Sequence, residues 1–172
     1  MSGVFDELIT DRTLEDVQRL TDKGVYHASD MNRVENATAY LAGLMIALPN
    51  ELRVYAETLG VSWHDNYDVP YNPEDFHLTV KSDWVMEDIP DLEDSERYLG
   101  NISALCGGLG CSKEELPKSL DKLFYQDANA IEVCLIRASA VFEQLKHNSK
   151  RRLNRTAAAW PRLGEIFTGE MI

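Results

Sequence analysis

No stretch of this sequence stays apolar long enough to cross a bilayer. The longest run, "LAGLMIALP" at residues 41–49, stops at a proline after too few residues for a spanning helix. No basic segment leads into an apolar run near the start, so no signal peptide is expected and the chain is expected to fold in a cytoplasm. Cysteine is scarce. Cys106, Cys111 and Cys134 cannot all pair within one chain, no C-x-x-C occurs, and the histidines are not spaced to complete a zinc site with them. They read as reduced and partly buried, and no surrounding motif points to a histidine that would make one of them a nucleophile. Basic charge is short as well. With 17 Lys and Arg against 29 Asp and Glu the net charge is −12, which argues against binding DNA or RNA over the whole surface. "GGLGCSK" (107–113) lacks the G-K-[S/T] ending of a phosphate loop and follows a helical pattern, so it reads as a glycine helix end.

What remains is an acidic chain of 172 residues with an ordinary apolar fraction of 44%, enough for one domain with a real core or two small lobes. The periodicity predicts four helical regions. In the first, 13–24, Thr13 serves as N-cap, Gly24 as C-terminal residue, and Leu14, Val17 and Leu20 share one face. The second begins at Ser29 or Asp30 as N-cap. Met31, Val34, Ala37, Thr38, Leu41, Leu44, Met45 and Leu48 recur along it at three- and four-residue steps. Pro49-Asn50 marks its end, or "ELRVYAETLG" continues it as another helix to Gly60.

The third helix follows Pro90 with Asp91 as N-cap, and buries Tyr98, Leu99, Ile102, Leu105, Cys106 and Leu109. The fourth starts near Asp127, carries Ala128, Ile131, Leu135, Ala138, Val141, Phe142 and Leu145, and reaches Trp160 before Pro161. Residues 61–90 break the helical period with three prolines and many Asn and Asp. "FHLTV" (76–80) alternates there as a short strand. The expected fold is mainly α: a compact bundle of four to five helices with a small irregular or β element around 61–90. The helical domain spans 1–160, and 161–172 form a C-terminal tail that reads as an interface arm.

Two helices open on the same pattern. Asp30, Asn32, Val34 and Glu35 match Asp127, Asn129, Ile131 and Glu132 as D-x-N-x-[V/I]-E, with Tyr26 and Tyr125 upstream. Asp and Asn near a helix start accept hydrogen bonds from unpaired N–H groups, and an early Glu suits the helix dipole. The pattern therefore reads as a helix-start motif. The competing reading is a binuclear metal site built from two helices. Such sites use Glu-x-x-His pairs, and neither copy has one. A second candidate is the stretch holding His64, Asp65, Asp68, Glu74, Asp75 and His77, whose donors suit a divalent ion but whose spacing matches no known loop.

"KHNSKRRLNR" (146–155) gathers Lys146, Lys150, Arg151, Arg152 and Arg155 with no acid, leaving the rest at 12 basic and 29 acidic groups, or −17. It reads as a solvated helix end, or as a contact with an acidic partner, packaged nucleic acid or the acidic surface of a neighbouring copy.

Three stretches, "DRTLEDVQRLTDKGVYHASDMNRVENATAYLAGLM" (11–45), "KSDWVMEDIPDLEDSERYLGNISAL" (81–105) and "LFYQDANAIEVCLI" (123–136), together with "AAAW" (157–160) and "GEIFTGE" (164–170), stand in a familiar order. They resemble a family of small virion proteins encoded in tail gene clusters of phages and prophages of Gram-positive gut bacteria. That family shows Y-N-x-x-D-x-N-R-V-E, then K-T-D-W-x-x-x-D-I-P, R-Y-L-x-N-V, L-T-Y-x-x-A-N-x-I-E and a closing A-W with G-E-[L/I]-[Y/F]-x-G-E. Here Ser82 stands for the usual Thr and His27 for the usual Asn.

The resemblance implies a structural part of a tail or its host-facing end, located in the virion and assembled in the host cytoplasm, with no catalytic residues and no cofactor. Its partners would be other virion structural proteins and further copies of itself, with no membrane and no nucleic acid. The alternative is an adaptor that links a fibre or host-recognition module to the tail. A third class is a small metal-binding cytoplasmic protein using the 64–77 loop. In the structural reading Trp63, Trp84 and Trp160, with Ile166, Phe167, Met171 and Ile172 of the tail, are the candidate interface residues, and Trp84 equally suits a plug in the helical core.

Overall fold

The computed structural model describes residues 3–63, 69–111 and 116–168, with side chains described as far as Ala159. Four α-helices appear in chain order: α1 (Leu14–Gln18), α2 (Ala28–Thr58), α3 (Leu92–Gly108) and α4 (Tyr125–Thr168). The expected mainly-α bundle is the fold.

α1 is short because its sequence carries little to bury. Thr13 caps it, exchanging bonds with Asp16, but Leu14 and Leu20 are exposed and Leu20 takes a left-handed backbone. The twelve-residue helix expected from 13–24 is thus split into α1 and a 3-10 turn, Asp22–Gly24. Gly24 closes against α1 so tightly that a Cβ there would lie 2.2 Å from the Asp16 carbonyl oxygen.

α2 is one continuous helix that carries Pro49 in its interior. A proline removes one hydrogen bond, and here the packing of Leu48, Leu52 and Ala56, all buried, keeps the helix whole. α4 likewise runs past Trp160 and Pro161 to Thr168, so residues 161–168, expected as a non-helical tail, continue the helix. Met171 and Ile172 lie outside the described residues.

The three long helices touch one another pairwise and run in the same direction. Glu132 near the start of α4 accepts from Arg33 near the start of α2 and shares Arg12 with Asp30, and Asn154 meets Tyr55 near the end. Arg97 of α3 meets Glu35, while Gly108 lies beside Met45. Parallel neighbours need connections long enough to return the chain, and residues 59–91 and 109–124 supply them. The core fills the space between the helices with Leu41, Met45, Ile102, Leu105, Ile131 and Leu135, each fully buried. The 3-10 turn Pro73–Phe76 lies over α2 and α3. Gly108 admits the Phe76 ring, which would stand 2.4 Å from a Cβ at that position.

No strand forms among the described residues. "FHLTV" has no partner strand among the described residues: the Leu78 N–H donates locally to the Phe76 carbonyl at 2.8 Å. The Thr79 carbonyl accepts from Asn101 at 2.7 Å.

Candidate functional site: a doubled strap

The two D-x-N-x-[V/I]-E segments build the same arrangement twice. α2 is capped by His27, not by Ser29 or Asp30. Asp30 is the third helical residue and accepts from the His27 N–H at 2.7 Å. Asp127 holds the third position of α4 and accepts from the Phe124 N–H at 2.9 Å. The aspartates therefore start their helices.

The other motif residues do something different. Asn32 and Glu35 lie one to two turns inside α2, where the helix's own N–H groups are already bonded. Asn32 accepts from the Trp84 N–H at 2.8 Å and donates to the Trp84 carbonyl at 2.9 Å. Asn129 accepts from the Arg12 N–H at 3.1 Å and donates to the Arg12 carbonyl at 2.9 Å. In each copy one amide side chain satisfies both backbone groups of one residue in an extended strap crossing the helix. Three residues earlier in each strap the chain meets the glutamate. The Ile9 N–H donates to Glu132, and the Lys81 N–H favours the ionised form of Glu35.

Each glutamate also takes an arginine, and here the copies diverge. Glu132, fully buried, accepts from Arg12 at 2.7 Å and from Arg33 at 3.4 Å. Both arginines also bind Asp30, Arg12 at 2.9 Å. Arg12 donates further to the Ile9 carbonyl and lies over the Tyr26 ring, 5.4 Å from its centre. Two cations and two anions thus close a neutral cluster. Next to it the Tyr26 and Tyr98 hydroxyls share a 2.8 Å hydrogen bond, and burial pushes both phenols well above their ordinary range.

Glu35, also sealed from water, accepts from Arg97 alone among the arginines with described side chains. Burial raises its carboxyl above the ordinary 4.5, although the Arg97 hydrogen bond and charge pull the other way. Trp84 is buried beneath Lys81, whose ammonium stands 3.8 Å from the ring centre, and beside Arg97. Trp84, expected as an interface anchor or a core plug, is therefore a core residue.

The remaining candidates are scattered. Trp63 packs part-buried against the core. The side chains of Trp160, Ile166 and Phe167 lie outside those described, although their backbone belongs to α4. Within the basic run Lys146 and Lys150 pair with Glu51 of α2 at 2.8 and 2.7 Å, and Arg151, Arg152 and Arg155 are exposed. Of the 64–77 stretch, His64, Asp65 and Asp68 lie outside the described residues, and His77 meets only Glu74, at 3.4 Å, among the other charged residues there. Among the described residues no three His, Cys, Asp or Glu side chains converge to hold a metal ion.

Sequence reasoning missed Arg12, Arg33 and Arg97 as partners of the motif acids. One signal was present: Asn and Glu stand too far into each helix to serve its first turn. No family model, curated protein or solved structure matches the chain.

Proposed function

We propose that this chain is a non-enzymatic structural component of a phage tail or tail-like particle, in the tail or baseplate region, that works as an oligomer among other virion proteins. The observation that carries the proposal is how the most distinctive residues are used. Asn32, Glu35, Asn129 and Glu132 are each bonded to a crossing strap or its arginines, so the motif holds the bundle together and leaves no reactive group at its centre. The apolar residues that stay exposed gather elsewhere: Met86 is 85%, Ile89 89%, Leu92 70% and Phe124 70% exposed. Surface of that kind suits a protein partner. The order of segments resembling virion tail proteins supplies the biological setting.

The test is composition. Particles purified from cells carrying this gene with its flanking tail genes should contain the chain in reproducible copy number by quantitative mass spectrometry. Intact particles without it would overturn the reading.

A further inference from the structure

Leu14, Val85, Met86, Ile89, Leu92 and Phe124, all exposed, line adjoining hollows at the end of the bundle where α2, α3 and α4 begin. Three hollows lie side by side there. One of about 420 Å³ runs between Met31, Val85 and Met86; another of about 460 Å³ lies beside Ile89 and Leu92, and the two share Pro90 and Leu120. A third, of about 430 Å³ beside Leu14 and Phe124, shares Tyr26 and Leu123 with the first. The rim is acidic. Residues 83–96 hold seven Asp and Glu and no Lys or Arg, of which Asp83, Glu87, Asp91, Glu93 and Glu96 are exposed.

The opposite end of the molecule has the complementary chemistry. α4 outruns α2: Tyr55, three residues before α2 ends, already bonds Asn154, Ala157 is the last part-buried residue packed on the core, and Ala158 and Ala159 are exposed. From there α4 continues to Thr168, about 16 Å further at 1.5 Å per residue. Arg151, Arg152 and Arg155 are exposed just before this projection, and Trp160, Leu163 and Phe167 follow at helical steps in the sequence.

The projection cannot serve its own chain's apolar face. That face lies at the start of α4, and the helix's 44 residues carry its far end about 66 Å away.

We propose that the occupant of the apolar end is the projecting end of α4 from a second copy of this chain. Resting on the structural reading above, this makes the contact head-to-tail, an amphipathic helix end laid into a groove, with basic residues behind the apolar steps meeting the acidic rim. Because the two surfaces differ, the interface is heterologous, and it repeats into a ring or a filament.

Mixing separates this from every symmetric alternative. Met86→Asp with Ile89→Asp disables the groove, and both side chains are so exposed that the fold should keep its circular dichroism spectrum and melting temperature. Leu163→Asp with Phe167→Asp disables the projection. By light scattering the wild-type chain should exceed its 19.5 kDa monomer mass, each double variant should be monomeric, and an equimolar mixture should give a species of two chains and nothing larger. A wild-type monomer at high concentration overturns the proposal. So does a projection variant that keeps its oligomer, or a mixture that stays monomeric. The virion reading is tested separately: it fails if purified particles lack the chain.

Discussion

Glu132 and Glu35 stand at equivalent places in the doubled strap, each behind an asparagine that grips a crossing segment, yet they are neutralised differently. Glu132 sits in a four-charge cluster with Arg12, Arg33 and Asp30. Glu35 has Arg97 alone among the arginines with described side chains; that side chain is 19% exposed, against 2% for Arg12 and 15% for Arg33. Both glutamates are sealed from water and each copy has one partly exposed arginine; the copies differ in that Glu132 shares two arginines with Asp30 while Glu35 relies on Arg97. A buried charge that loses its partner either stays uncompensated or takes up a proton. The difference teaches that one local pattern can fix two straps while only one of them gathers a four-charge cluster.

The largest test of that contrast removes the arginines. Arg12→Met leaves Asp30 and Glu132 with Arg33 as their remaining arginine, and is expected to cost roughly 3–5 kcal/mol of unfolding free energy at neutral pH. Arg97→Met is expected to cost about 1–3 kcal/mol, because burial already shifts the Glu35 carboxyl upward, which lessens the cost of neutralising it by taking up a proton. Urea unfolding of both variants measures the gap. Equal losses would mean the two copies are electrostatically alike.

Next in size are the asparagines. Asn129→Ala and Asn32→Ala each remove two hydrogen bonds to one strap residue and leave its N–H and carbonyl without them, for about 1–3 kcal/mol each. Hydrogen exchange distinguishes them. The Arg12 amide should lose protection in the first variant and keep it in the second, and the Trp84 amide should do the reverse. Loss at both amides from either substitution would show that the straps open as one unit.

Much of this architecture was legible before the coordinates. The stripes on α2, α3 and α4 are wide enough to name their buried faces, and Thr13 and Asp91 cap α1 and α3 as their positions predict. Continuation of α2 through Pro49 was less so, because a proline's local penalty is offset by long-range burial that no window of sequence reports. The strand expected at 76–80, which runs into the strap, does not form for a related reason. Its alternation is real, but the Thr79 carbonyl and the Trp84 backbone are bonded by side chains from helices. The motif residues were recognised as a set, but the repeat of Ile9 and Arg12 at Lys81 and Trp84 involves backbone groups, which leave no compositional trace. The apolar surface around Met86 and Ile89 also escaped notice: in sequence it looks like an ordinary loop before a helix.

The smallest expected effect concerns pH, and it sets Glu35 against another carboxylate of the same helix. The folded-state pKa of Glu35 lies above its ordinary 4.5 because burial disfavours the charge. Its contribution to stability is therefore fully present below 4.5 and is lost as pH rises through the folded value. Glu51 is opposite in sign. Burial works against its charge too, but hydrogen bonds from Lys146 and Lys150 outweigh it and hold the carboxyl below 4.5, so its contribution is present above 4.5 and is lost as pH falls through the folded value. Glu35→Gln should accordingly gain on the wild type as the solution goes from acidic to neutral, whereas Glu51→Gln should lose ground over the same interval, by a small amount because this pair is open to solvent. Urea midpoints of the three proteins across that range read both slopes. Parallel slopes for the two variants would mean that Arg97 compensates Glu35 as fully as the lysines compensate Glu51.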